Sequence, residues 1–271
     1  MKSTFLTRLP ITLIGIPAVI YLLSEGGMIF SGFVTLVIFL CLIEFYELKS
    51  NSGCRPNKFF GILMALVTCF MYIQFPNPNV VNLLSIFIIL IILSLFIEMF
   101  SGHDNPLDNV NITLGGVLYV AGLLGSMIAL RNWDNFNGSN FTMSMIFSVW
   151  ICDSCAYTFG MLFGKKKLIE RISPKKTIVG FIAGIIGSFL SFYFMNTIGF
   201  IHIELNLSHL LILTFIVGIC GQLGDFVESM FKRDAGVKDS GKILLGHGGV
   251  LDRFDSLIFT SPLVFIFVLF L

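Results

Sequence analysis

The run 83-LLSIFIILIILSLFI-97 decides the class of this chain. It contains two serines and no charge, and its apolar side chains do not alternate with polar ones. A transmembrane β-strand shows about ten residues of alternating polarity, so this is not barrel sequence. An α-helix satisfies its own backbone groups and is the default element for crossing lipid. It needs about 20 mostly apolar residues to do so. The same reading, carried outward, gives nine spans at about 9–23, 28–47, 59–75, 80–100, 114–130, 143–164, 177–200, 207–230 and 254–271. Composition agrees, with 56% hydrophobic residues, 12% charged residues and 30 Phe. Soluble domains are about a quarter charged. Soluble folds, disorder, a disulfide scaffold and a collagen-like fibre are therefore excluded. The expected fold is all-α, a polytopic integral membrane protein with about nine transmembrane helices.

Counting Lys and Arg loop by loop sets the orientation. The connections on the N-terminal side, 1–8, 48–58, 101–113, 165–176 and 231–253, carry 2, 3, 0, 6 and 5 basic residues, 16 of the 17 in the chain. Only Arg131 lies on the other side, so the N-terminus is expected inside. The 17 basic and 16 acidic residues leave a net charge of +1, which gives no signal for nucleic acid as a partner. Lys2 and Arg8 precede an apolar stretch, but no small-x-small cleavage site follows, so the first span reads as retained. Cys152 and Cys155 form a CxxC without a second pair or a nearby His, and read as small membrane-helix residues rather than a zinc site. Charge placement divides the chain into an N-terminal transmembrane scaffold, 1–142, of about five helices and a catalytic transmembrane region, 143–271, of about four, with inside loops 165–176 and 231–253.

Ionisable groups within spans cost roughly 2.5–3.5 kcal/mol each on insertion scales and usually mark function. Asp153, Asp225 and Glu228 are of this kind. In 221-GQLGDFVESMFKRDAGVKDSGKILLGHGGVLDRFD-255, helical spacing puts Asp225, Glu228, Ser229 and Lys232 on one face. Arg233, Lys238, Asp239 and Lys242 follow, then the turn 246-GHGG-249, where Gly248 and Gly249 let backbone N–H groups approach phosphate oxygens. Asp252 and Asp255, three apart, open the last helix; an Asp there is equally a cap. Carboxylates, a glycine turn and basic residues together fit a metal–polyphosphate site. Mg2+ favours one or two carboxylates plus phosphates and water. The string GVKDSGK at Gly236–Lys242 matches a phosphate-loop pattern, but Ile243 replaces the required Ser or Thr and no strand precedes it.

A second group lies in 150-WICDSCAYTFGMLFGKKKLIERISPKKTIVG-180. Asp153, Tyr157, Gly160 and Gly164 share a helix face, and the GxxxG spacing permits close helix contact. Ser173-Pro174-Lys175-Lys176-Thr177 reads as the start of a helix, with Pro in its first turn and an anion-binding N-terminus.

These segments resemble the phosphatidate cytidylyltransferases, also called CDP-diacylglycerol synthases. The signature S…KR…KD…GHGG…DR.D runs from Ser229 to Asp255 and is matched at each position, and the upstream W..D..AY..G..FGK and SPKKT elements are similar too. The detailed resemblance covers roughly residues 150–255. It implies the reaction of CTP with phosphatidate to give CDP-diacylglycerol and pyrophosphate, a divalent metal, and homodimers. Asp225 and Asp252 match the family's metal-binding acidic positions and would hold Mg2+, alone or with a second cation, with Asp153 and Asp255 as further metal candidates. The catalytic candidates are Asp225, Asp252, Lys238, Asp239, His247 and Arg253; His247 would orient phosphate or carry a proton. The substrate-binding candidates are Ser173, Lys175, Lys176, Ser229, Lys232, Arg233, Lys242, Gly248 and Gly249. A compact chain without a targeting extension fits a bacterial plasma (inner) membrane with the active site facing the cytoplasm. Rival readings are a CTP-dependent polyprenol kinase or an ether-lipid cytidylyltransferase, which change the acceptor, and an ion-coupled transporter, which turns over no nucleotide. A non-catalytic scaffold would tolerate Asp252→Asn.

Overall fold

A computed structural model describes residue 15 and residues 17–50, 53–77, 80–133, 137–241 and 248–271. Residues 17–25 are helical and precede α1 (Gly27–Ser50), α2 (Lys58–Gln74), α3 (Val80–Ser101), α4 (Pro106–Asn132), α5 (Asn137–Phe163), α6 (Ile178–Thr197), α7 (Leu207–Asp234) and α8 (Leu251–Leu269). The described residues contain no strand, only an isolated bridge between Lys167 and Thr177. The chain is all-α. Among the described residues, six helices, α1 and α3 to α7, are long and apolar enough to cross a membrane. The shorter α2 is apolar over 17 residues, and α8 starts with the charged Asp252, Arg253 and Asp255. These eight helices lie at eight of the nine expected spans; of the expected span 9–23, residue 15 and residues 17–23 are described and are helical, and the rest lies outside the described residues.

Two compact units divide the described residues. The first joins the chain up to Ala129 with Asp234–Arg253, and the second joins Leu130–Arg233 with Phe254–Leu271. The position 142/143, where charge placement divides the sequence, lies inside α5. Within the first unit, Ser240, Val250 and Leu251 hydrogen-bond to Glu44 of α1.

In the first unit, Leu42, Tyr46, Met64, Val120 and Leu124 form the core. Tyr46 is fully buried, and its hydroxyl donates to the Thr113 carbonyl at 2.7 Å. Gly116 makes room for that ring: a Cβ there would lie 2.6 Å from it. α4 begins at Pro106, earlier than the expected 114, although Asp108, Asn109, Asn111 and Thr113 read as loop. The reason is that Asn109 and Thr113 are buried with their polar atoms engaged: Asn109 Oδ1 accepts Arg55 N at 2.7 Å, and Thr113 Oγ1 accepts Asn57 N at 2.8 Å. Pro106 stands at N1, where its missing N–H costs no bond. By contrast α3 turns Ile89, Phe96, Met99 and Phe100 outward, and only 11% of its apolar window is buried. Such a surface is stable in lipid and not in water.

In the second unit, α5 and α6 pack through small residues. Ser148 and Ser191 hydroxyls meet at 2.9 Å, and a Cβ on Gly160 would lie 3.4 Å from Gly180 Cα. Small residues let membrane helices approach closely where hydrophobic driving force between them is absent.

α4 and α7 each contain a π-helical stretch, Val117–Gly122 and Phe215–Gly221. The wider turn loosens carbonyls from the α-helical ladder. Side chains take them up. Tyr72 donates its hydroxyl to Gly122 O at 2.6 Å, and Gln222 Nε2 donates to Gly218 O at 2.5 Å.

Candidate active site

Gln222 sets the start of the polar face of α7. Besides Gly218 O, its amide reaches Phe181 O of α6 at 3.1 Å, which fixes the two helices side by side. One turn on stands Asp225, and a further turn brings Glu228. Asp225, Glu228 and Asp255 each offer a carboxylate oxygen, and these atoms all lie within 4.8 Å of one another. Three hard oxygen donors at that spacing suit a divalent cation of the Mg2+ type. Asp255 occupies the second turn of α8, beyond capping reach of its first N–H groups, and its Oδ1 accepts Ser256 N at 2.6 Å.

Opposite charge comes from two lysines. Lys176 pairs with Asp225 Oδ2, and Lys232 pairs with Glu228 Oε2 one turn along α7. Lys176 also lies 4.4 Å from the centre of the Phe226 ring, a cation–π distance. Ser229 Oγ donates to Asp225 Oδ1 at 3.4 Å. Glu228 is fully buried and Lys232 nearly so.

The basic loop is held shut at its base. Leu168 N donates to Lys176 O at 3.1 Å, and Ile178 N donates to Lys166 O at 3.1 Å. Ser173 and Pro174 therefore sit in a turn and not in a helix. The helix begins one residue past Thr177, whose hydroxyl caps Gly180 N at 3.2 Å. The expectation of Pro174 in the first helical turn is corrected accordingly, because the turn bonds Ser173 N to Ile169 O and Lys176 N to Ser173 O come first. Arg233 Nε donates to Ile172 O at 3.3 Å and ties the loop to the end of α7.

A cavity of about 600 Å³ opens between these elements, with Asp153, Lys175, Lys176, Gln222, Asp225 and Phe226 in its wall. Tyr157 and Met161 also line it and are 71% and 66% exposed. One side of the cavity is thus charged and another is apolar and open. A cleft of about 740 Å³ in the first unit, with Arg55, Lys58, Glu98 and His103, holds a single carboxylate. That carboxylate, Glu98, already accepts Asn109 Nδ2 at 2.6 Å.

In the first unit the signature continues around Ser240 and Asp252. Asp252 Oδ2 accepts Ser240 N at 3.0 Å and Gly249 N at 2.7 Å. The Gly249 N–H is thereby directed at Asp252. Gly248 takes a left-handed φ of 84°, and a Cβ there would lie 2.8 Å from Asp252 Oδ2. Lys238, Asp239 and Arg253 are exposed. Lys242 and His247 lie outside the described residues.

The structure thus brings together Asp153, Asp225, Asp255, Lys175 and Lys176 in the second unit, with Ser229, Lys232 and Arg233 on α7 beside them. It groups Asp252, Ser240, Gly248 and Gly249 in the first. Sequence reasoning overlooked three partners. Glu228 was read on the polar face but outside the metal group, and Gln222 looked like ordinary helix sequence. Glu44, a carboxylate near the end of an apolar span, carried the same intramembrane signal as Asp153.

Residues 6–271 match the sequence profile described as the Cytidylyltransferase family. The chain is 38% identical over 252 residues to the phosphatidate cytidylyltransferase of Staphylococcus haemolyticus, covering 91% of this chain and 95% of that protein. It is 36% identical over 269 residues to that of Staphylococcus epidermidis, covering 97% of both. With the Staphylococcus aureus protein of the same name the identity is 35% over 267 residues, again covering 97% of both.

Proposed function

Because this chain belongs to the cytidylyltransferase family, we propose that it joins CTP to phosphatidate, releasing pyrophosphate and leaving CDP-diacylglycerol in the membrane. A phosphate oxygen of phosphatidate attacks the α-phosphorus of CTP, and the bond from that phosphorus to the bridging oxygen of the β-phosphate breaks. Pyrophosphate carries away the electron pair. Such transfers depend on positioning and charge neutralisation more than on a covalent nucleophile.

The observation that carries this reading is the cavity in which Asp225 and Asp153 face Lys175 and Lys176 while Tyr157 and Met161 open the wall to an apolar surface. A soluble polyanion and an anchored lipid need such a two-sided chamber. Lys175 and Lys176 draw in and neutralise phosphate oxygens. Asp225 holds Lys176 in place before substrate arrives, and Phe226 supports the ammonium from the ring face. Asp225, Glu228 and Asp255 would hold the divalent cation, with Mg2+ as our assignment. When bound, the cation supplies charge neutralisation on the triphosphate and the leaving group. Asp252 orders the Ser240 and Gly249 segment. The working site is the plasma membrane of a bacterium, with the cavity on the cytoplasmic side where CTP is found, and the working form is a homodimer.

Labelled CTP, phosphatidate and Mg2+ supplied to the detergent-solubilised protein test the proposal. Label entering the lipid phase with one pyrophosphate per lipid is expected. Label absent with phosphatidate, or present only with a polyprenol or an ether lipid, overturns it. Maleimide labelling of a Lys175→Cys variant in inside-out but not right-side-out vesicles tests the orientation, and cross-linking tests the dimer.

A further inference from the structure

Glu44 is an acidic side chain buried completely in the last two turns of α1. Its partners come from about two hundred residues later. Val250 N donates to Oε1 at 3.0 Å, Leu251 N donates to Oε2 at 2.9 Å, and Ser240 Oγ donates to Oε2 at 3.0 Å. A bare carboxylate removed from water costs several kcal/mol, so three donors of this quality are what permit it there. Val250 and Leu251 stand at the start of α8, where backbone N–H groups lack intrahelical acceptors. A negative charge at that end is also stabilised by the helix dipole. Glu44 is thus the cap of α8, provided by a different helix.

The packing around the carboxylate is equally specific. A Cβ on Gly241 or on Gly249 would run into the Glu44 carboxylate. These two glycines leave room for Glu44, and this gives the last glycine of GHGG a role other than approach to phosphate. Ser240 is held twice, by its hydroxyl to Glu44 and by its N–H to Asp252. Gly249 is held by its N–H to Asp252 and by its Cα face against Glu44. Two carboxylates therefore fix both ends of the glycine-bearing segment.

We propose that Glu44 is a positioning residue for the reaction: it holds Ser240–Gly241 and Gly249–Leu251 in the arrangement that presents Asp252. The proposal rests on the cytidylyltransferase reading for its link to turnover, and on geometry alone for the anchoring.

Glu44→Gln is the informative substitution because it preserves shape. Whichever way the amide turns, its NH2 faces a backbone N–H, either that of Val250 or that of Leu251. We expect monodisperse protein with a melting temperature close to wild type. Hydrogen–deuterium exchange should rise about tenfold or more in peptides covering 238–256 and remain unchanged elsewhere, as for the loss of a hydrogen bond to a charged group. Turnover per folded molecule should fall by a similar factor, with KM for phosphatidate unchanged. Glu44→Asp, charged but one methylene shorter, should lie between the two. A uniform rise in exchange, a lower melting temperature and unchanged kinetic constants would mark Glu44 as ordinary structure and overturn the proposal. If Glu44→Gln does not fold, Ser240→Ala removes one of the three bonds and should give the same local pattern at about threefold; wild-type exchange and kinetics in that variant would overturn it as well. If the wild-type protein makes no CDP-diacylglycerol, the activity reading falls by itself, and the local exchange still decides whether Glu44 anchors the segment.

Discussion

Lys176 pairs with Asp225 while its ammonium stands 4.4 Å over the Phe226 ring, so one side chain of the basic loop is held by two consecutive residues of α7. The pairing pre-sets a cation beside a carboxylate group before any anion is present. Lys176→Met should lower kcat/KM for CTP by ~30-fold, the ratio for about 2 kcal/mol of a charged hydrogen bond. Lys176→Arg keeps the charge and should recover part of the loss. Initial rates of lipid-phase labelling over a range of CTP concentrations measure both.

Asp225→Asn and Asp255→Asn remove charge from the three-carboxylate group and should each reduce turnover ~100-fold or more, the scale for groups that stabilise transferring charge. Chelation should stop wild-type turnover, and Mg2+ should restore it. A shifted Mg2+ requirement in either variant, together with weaker Mn2+ relaxation of bound water, identifies those residues with the cation. Wild-type relaxation in both variants would remove them from that role.

Lys232 and Glu228 form a buried pair within one turn. Lys232→Met leaves the Glu228 carboxylate buried opposite an apolar chain, and breaking such a pair costs about 3–5 kcal/mol. The double variant Glu228→Gln, Lys232→Met should recover much of that stability. Thermal unfolding of the detergent-solubilised protein distinguishes the two. Recovery without activity would separate the pair's structural contribution from its part in the site.

Gly180 faces Gly160 across the contact of α5 and α6, and a Cβ on it would lie 2.6 Å from Ala156 O and 3.2 Å from Gly160 Cα. Gly180→Val should destabilise by about 1–3 kcal/mol through overpacking. Since Gly160 and Gly180 line the cavity as well, activity should fall further than the loss of folded protein accounts for. Activity normalised to folded protein, measured by size-exclusion recovery, reads the difference.

Much of this architecture was legible because lipid leaves few options. Long uncharged runs such as 83–97 specify helices, and α3, α5, α6 and α7 lie close to where those runs place them. Boundaries were less legible where polar residues are satisfied inside the protein: Asn109 and Thr113 read as loop residues, yet their partners, Glu98 and the Arg55 and Asn57 amides, lie elsewhere in sequence. In the site, helical spacing was enough to group Asp225 with Glu228, since both belong to one helix. It was not enough to show that Glu44 reaches Val250 and Leu251, because pairings between distant helices leave no periodicity. The capped turn at Thr177 was hidden for a similar reason: Pro174 suggests a helix start, and backbone bonds within the loop delay it.

The π-helical stretch Phe215–Gly221 makes the working side of α7 depend on the number of residues and not only on their kinds. Each residue of an α-helix turns the chain by about 100°. Were the same residues wound as an ordinary ladder, everything beyond would be rotated by about that angle. Asp225 and Glu228 would keep their spacing and their chemistry while facing away from Lys176 and Asp255. The wide turn, one turn before Asp225, thus absorbs a residue that the site's orientation could not otherwise accommodate, and the bulge rather than any side chain sets the direction in which the carboxylates point.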